Sequence, residues 1–168
     1  MKTNLLGYPR IGNKRELKKS SEAYWKKTIS KEEHLKNAAS IRKNNWLLQQ
    51  KLGIDLIPSN DFSLYDQVLD MSVTVGSIPK RYSEIKENEN ELDLYFAMAR
   101  GIQNKEFDIT AMEMTKWFDT NYHYIVPEFY KNQIFELFDL KPINEYKEAL
   151  GLGIKTKPVL IGPVTYLL

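Results

Sequence analysis

Arg10, Lys14, Arg15, Lys18 and Lys19 put five cations into ten residues, with Glu16 the only acid among them. On a helix, Lys14 and Lys18 stand four residues apart, as do Arg15 and Lys19, and Arg15 and Lys18 stand three apart. Like charges so placed repel by about 0.2–0.5 kcal/mol per pair. A chain that accepts this repulsion lets water screen it or offers it to an anion. Three chemistries suit the pattern: a plain solvated basic face, a site for phosphates or several carboxylates, and a nucleic-acid contact.

The elements around these cations read as a short strand, a tight loop and a helix start. Leu5–Leu6 is apolar, Gly7, Pro9 and Gly12 punctuate the loop, and a helix over 14–26 follows. Gly7 and Gly12 allow backbone angles or close approaches that a Cβ would block. Asn13 with Glu16 three residues on predicts a capping-box variant with Asn13 as N-cap. Free N–H groups and the positive end of the helix dipole would then add to the cations.

The whole chain of 168 residues carries a net charge of only +2, so the basic opening is local. That argues against a dedicated nucleic-acid binder. No cysteine is present, which excludes disulfides, thiolate metal sites and cysteine nucleophiles in this chain. No apolar run is long enough for a membrane span and the start lacks a signal-peptide core, so the cytoplasm is the default location. The C-terminal run from Lys157 to Leu168 is apolar and β-leaning. It suggests a piece of a longer chain, with an open strand edge that invites self-association.

Along the chain, Ser30 and Glu33 form a capping box for a second helix. Leu35, Ala38, Ile41, Leu48 and Leu52 mark its predicted core stripe, Trp46 packs, and Gly53 stops it. Ile54–Pro58 is a predicted strand that ends in the polar loop 59–63. Asn60 and Asp61 sit where α/β barrels gather functional residues, at the carboxyl end of a strand. Either they contact a ligand or they cap the next helix, which begins near 63–65 with Leu64, Val68, Met71 and Val75 as its stripe. Residues 83–91 read as a polar surface loop, 92–102 as a helix and 104–107 as a turn. Asp108 could cap a further helix holding Met112 and Met114.

Lys116 to Tyr124 is dense in aromatic and polar groups. Lys116 there suits cation–π packing or the lining of a site for a flat, charged ligand. His123 is one of two histidines, the other being His34, and their separation has no metal-ligand spacing. It reads as a hydrogen-bonded packing residue, with an acid–base role open. A helix at 144–150 and a strand at 158–161 complete a βα alternation, the pattern of a parallel sheet or barrel.

Four segments together resemble the cobalamin-independent methionine synthase family: Leu6–Gly12 with Arg15–Lys18, Pro58–Asp66, Glu113–Tyr124, and Lys157–Tyr166. They run in order over the whole chain. The resemblance implies an α/β fold, the first part of a (β/α)8 TIM-type barrel with extra helices, incomplete within 168 residues. It makes residues 1–168 the N-terminal portion of the N-terminal barrel domain, with the catalytic C-terminal barrel absent. The family transfers a methyl group from 5-methyltetrahydropteroyltriglutamate to L-homocysteine, using zinc held by its C-terminal barrel. Residues matching its folate-tail motif are Arg15, Glu16, Leu17 and Lys18, with Lys116; Asn60, Asp61 and His123 are further candidates. Leu17 could contribute only through its backbone. The resemblance assigns no catalytic residue, metal ligand or cofactor to this chain, and implies that the chain alone is inactive. The alternative is a non-catalytic structural or interaction module that needs other strands to complete its fold.

Overall fold

Ser30 starts the longest helix as the sequence predicts: its hydroxyl accepts the Glu33 N–H at 3.2 Å. In the computed structural model, which describes residues 1–168, this helix belongs to the first of two units. Unit 1 comprises Met1–Leu64 and Lys141–Leu160; unit 2 comprises Tyr65–Leu140 and Ile161–Leu168.

Unit 1 holds helices α1 (Glu16–Trp25) and α2 (Lys31–Lys51), strand β1 (Pro58–Ser59), helix α6 (Lys141–Gly151) and strand β6 (Lys157–Pro158). Three segments run parallel: Asn4 bridges Leu56, and β1 pairs with β6 in the register Pro58–Lys157, Ser59–Pro158. Leu17, Ala38, Ile41 and Phe62 form one apolar cluster. Trp46, Ile57, Ala149 and Ile154 form a second. Trp46 packs as expected, and its indole N–H donates to the Pro58 carbonyl at 3.0 Å.

Unit 2 holds α3 (Gln67–Thr74), a 3₁₀ turn (Lys80–Tyr82), α4 (Ser83–Asn88), α5 (Glu91–Arg100), β2 (Ile102–Gln103), β3 (Asp108–Ile109), β4 (Met114–Lys116), β5 (His123–Ile125) and α7 (Pro163–Leu167). β2 pairs antiparallel with β3, and β4 antiparallel with β5. Gly101 turns α5 into β2 at φ +73, where a Cβ would lie 2.9 Å from the Ile109 carbonyl oxygen and the Ala111 nitrogen. Only glycine fits there. Leu69, Tyr82, Ile85, Leu94, Met98 and Ile125 are fully buried around these elements.

The architecture is thus mixed α/β, with three two-stranded sheets and no closed one. Several expectations change. The cap of α1 is Arg15, not Asn13, and the helix opens at Glu16. Asp66 caps α3, so neither Asn60 nor Asp61 does. Residues 83–88 are helical because Ile85 supplies a buried anchor that the polar composition hides. Asp108 opens a strand and no helix follows it, since Met112 donates its N–H to the Met98 carbonyl. The predicted strands at 54–58 and 158–161 shrink to two-residue ladders.

The buried stripe of α2 also differs. Leu35, Leu48 and Leu52 are exposed, while His34, Ala38, Ile41, Trp46 and Gln49 are buried. His34 is fully enclosed, stacked on Tyr24 at 5.4 Å and hydrogen-bonded to Ser20 Oγ through Nδ1 at 2.8 Å. Asn37 donates to the same hydroxyl, which leaves its hydrogen for Nδ1. Burial pushes the His34 pKa down. The neutral ring is therefore the folded form, and its stability is fully present above the unfolded value of about 6.5. As pH falls below that value, the unfolded chain binds a proton that the folded chain refuses. Urea midpoints should accordingly fall more for the wild type than for His34→Gln between about pH 7 and pH 5.

Candidate functional site

The loop between Leu5 and the start of α1 is held by side chains from elsewhere in unit 1. Asp61 Oδ2 accepts the Tyr8 N–H at 2.8 Å. Arg10 Nη1 donates to the Ser63 carbonyl at 3.0 Å, and Asn45 Nδ2 to the Pro9 carbonyl at 3.4 Å. Arg10 is therefore engaged in the loop's own structure. Gly7 meets Asp61 Cβ only at ordinary contact distance, 3.5 Å from where a Cβ would stand, so the close approach expected there is absent.

Gly12 is the demanding position. Its φ is +81, and a Cβ would stand 2.2 Å from Glu16 Oε2. That carboxylate accepts the Lys14 N–H at 2.8 Å. Backbone hydrogen bonds at Glu16 and Lys14, with the charges of Lys19 and Lys14, lower its pKa. Arg15 follows in the left-handed region, φ 61, as the cap of α1 with no side-chain cap bond. A long side chain in that region is uncommon and costs energy that the surrounding bonds must offset. Here the Arg15 N–H donates to the Gly12 carbonyl at 3.2 Å and Leu17 N–H to the Ile11 carbonyl at 3.1 Å.

This geometry turns Lys14, Arg15, Lys18 and Lys19 outward, all exposed. Lys18 forms a half-exposed pair with Glu22 at 3.6 Å, a contact of little energetic weight. Leu17 is 1% exposed, so its side chain belongs to the core. Asn60 and Asp61 lie in the loop after β1. Burial pushes the Asp61 pKa up, opposed by the Tyr8 and Asp61 N–H bonds and the Lys141 charge. Asn60, at φ 59, donates from Nδ2 to the Val159 carbonyl at 2.8 Å and accepts from Lys141 Nζ at 2.8 Å. Unit 1 thus brings Asp61 to the loop that leads into the cation cluster.

Lys116 and His123 belong to unit 2 and face each other across the β4–β5 register. Both are exposed. His123 Nδ1 donates to the Asn121 carbonyl at 3.1 Å, a local bond on an exposed ring, so the ring is hydrogen-bonded but not packed. Trp117 lies edge-on to Phe118 and to Tyr124, each at 5.4 Å. The cation–π contacts sit elsewhere, at Arg42–Phe62, Lys80–Tyr130, Arg81–Tyr82 and Lys86–Phe138. What fixes the hairpin is Asp66, whose Oδ1 accepts the Tyr122 hydroxyl at 2.6 Å and whose Oδ2 accepts the Ile125 N–H at 3.1 Å. Sequence reasoning missed Asp66; its only signal was a cap-type residue before Val68. No three His, Asp or Glu side chains cluster to hold a metal ion.

The sequence profile of the family described as "Cobalamin-independent synthase, N-terminal domain" matches residues 2–168. This chain belongs to that family. A 5-methyltetrahydropteroyltriglutamate–homocysteine methyltransferase of Flavobacterium johnsoniae is 67% identical over 168 residues, all of this chain and 22% of the relative. Proteins of the same name from Saccharomyces cerevisiae and Candida albicans are 51% and 49% identical, over 97% and 99% of this chain and 22% and 23% of theirs. The chain spans about a fifth of the length of these relatives.

Gly12→Ala should destabilise unit 1 by about 1–2 kcal/mol, from a strained positive φ and the displaced Glu16–Lys14 bond. Urea denaturation measures it, and an unchanged midpoint would contradict this account of the loop.

Proposed function

We propose that this chain is the tail-binding part of a methyltransferase that carries a methyl group from 5-methyltetrahydropteroyltriglutamate to L-homocysteine. Arg15 and Lys18 take the carboxylates of the glutamate tail, Glu16 and Leu17 complete the motif, Leu17 through its backbone alone, and Lys116 adds a further cation. Asn60, Asp61 and His123 are secondary candidates; the first two act by holding loops. The single observation that carries the reading is the outward cation cluster on a braced, strained helix start. The relatives are named for a substrate that carries a triglutamate, whose several carboxylates suit such a cluster.

The rest follows from the family. The fold is the opening of a TIM-type (β/α)8 barrel, supported by three parallel segments joined through helices. Residues 1–168 are then the N-terminal portion of the N-terminal barrel, and the catalytic barrel lies outside this chain. Zinc, which the family resemblance implies, would be held in that barrel; the residues of this chain do not themselves fit a zinc site, with no cysteine and no converging His, Asp and Glu set. The chain alone forms no methionine. No helix is long and apolar enough to cross a membrane, and we place the protein in the cytoplasm.

A second reading, an interaction module, is favoured by one feature of unit 2. Ile134, Leu137 and Phe135 are 71%, 69% and 45% exposed in a single segment, a row suited to covering by another surface or a second copy. Light scattering separates the cases: association that grows with salt belongs to this apolar row.

Calorimetric titration tests the first reading. Methyltetrahydrofolate with three glutamates should bind more tightly than with one, and Lys18→Ala should remove about threefold to tenfold of that preference. Raising the salt should erase it. Equal affinity for both tail lengths at low salt would overturn the assignment, as would methionine formed by the zinc-loaded chain for its inactivity.

A further inference from the structure

Gln49 is a polar residue in the core of unit 1, 1% exposed on the inner face of α2. Its Nε2 donates to the Asn45 carbonyl at 3.1 Å, while Oε1 is buried with no protein donor. An acceptor so buried and unserved costs about 1–3 kcal/mol. Gln49 also lines a cavity, together with Tyr8, Arg42, Asn45, Trp46, Asp61 and Phe62. The cavity has about 10 Å³ for the centre of a water-sized molecule, enough for one.

The chemistry of the walls selects the occupant. Gln49 Oε1 accepts only, and the Asp61 carboxylate accepts only when ionised. Asp61 already takes the Tyr8 N–H, and burial still pushes its pKa up. Arg42 also lines the space, but its Nε and Nη2 are turned to Glu148 Oε2, at 3.1 and 2.8 Å. The two acceptors call for a molecule with two donor hydrogens, and Asn45 and Tyr8 line the same cavity. Two to four polar partners are what a buried water needs.

We infer that this cavity is a binding site for a single water molecule that donates to Gln49 Oε1 and to the Asp61 carboxylate. The water joins α2 to the loop after β1, and through Asp61 to the Tyr8 N–H. It therefore braces the loop that delivers Gly12 and Arg15 to the start of α1. The site is independent of what the cation cluster binds. It explains why a glutamine occupies a core position that apolar residues would otherwise fill.

The test uses the whole chain. A high-resolution crystal structure should show one density peak within about 2.8 Å of Gln49 Oε1 and within hydrogen-bond reach of Asp61. In solution, the isotope-labelled chain should show a magnetisation-transfer signal from long-lived water to the Gln49 side-chain amide and the Tyr8 N–H. Gln49→Met, similar in volume and without the acceptor, should lose the Tyr8 water signal and push the Asp61 pKa further up. A dry cavity in the crystal overturns the inference, and so does a water signal at Tyr8 that survives in Gln49→Met. A peak at metal-coordination distances, or one whose occupancy follows added sodium or ammonium, assigns the site to a cation and overturns it as well. If Gln49→Met fails to fold, the unaltered chain's density decides.

Discussion

Unit 1 depends on two consecutive side chains at the end of β1. Asn60 sits in the left-handed region, which asparagine tolerates better than most residues. Its N–H donates to Glu145 Oε2 at 2.9 Å, its Nδ2 to the Val159 carbonyl, and its Oδ1 accepts from Lys141. Lys141 and Glu145 form an ion pair at 3.1 Å, with the Glu145 side chain 5% exposed. A carboxylate so buried is tolerable only when charge and hydrogen bonds both meet it, and here they do. Asp61, the next residue, fastens the Leu5–Gly12 loop. Loops that leave three parallel segments are thus tied at one dipeptide, and the position of the α1 cations is inherited from that knot.

Unit 2 solves the same problem with one carboxylate. Asp66 caps α3 through the Val68 and Leu69 N–H groups, at 3.1 and 3.0 Å, and holds β5 and Tyr122 with its remaining capacity. The Tyr95 hydroxyl accepts from the Tyr65 N–H and donates to Asp70 Oδ1 at 2.7 Å. Burial first, with the Asp70 charge as a lesser cause, pushes the Asp66 pKa up, against the pull of the Tyr122, Leu69 and Ile125 donors. The protein keeps an expensive group because it joins a helix start to a hairpin that has only three residue pairs of its own. Lys116 and His123 owe their places to that joint.

The local rules were legible and the long-range ones were not. Ser30 capping α2, the turn at 104–107 and the packing of Trp46 each follow from a few neighbouring residues, and each is present. Asn13 had the right type and spacing for a cap. It lost because Glu16 binds the Lys14 N–H and Arg15 takes the left-handed turn, a solution that needs Gly12. The α2 stripe departs from the expected one because burial follows partners and not hydropathy: Ser20 meets His34 Nδ1, whereas Leu48 and Leu52 face outward. Asn60 and Asp61 stand out by position, at a strand's carboxyl end, but their partners lie up to 99 residues away and leave no local trace. The tail residues came from resemblance; the cluster alone left three chemistries open.

The overall charge of +2 conceals the feature that bears most on the anion reading. Unit 1 carries seventeen Lys and Arg against eight Asp and Glu, a formal balance of +9; unit 2 carries seven against fourteen, a balance of −7. The basic opening is therefore not an isolated patch on a neutral body, as the sequence total implied. It belongs to a unit whose whole field attracts anions, and such a field raises the local concentration of a polycarboxylate before any single contact forms. Lys116 lies in the acid-rich unit, where the summed field opposes an anion and a close, geometrically specific contact must supply all the attraction. The cations of the two units thus stand in different fields. Toward an anion, Arg15 and Lys18 would gain from the charge of their unit, whereas Lys116 would work against the charge of its own, and it depends on the Asp66-braced hairpin for its place.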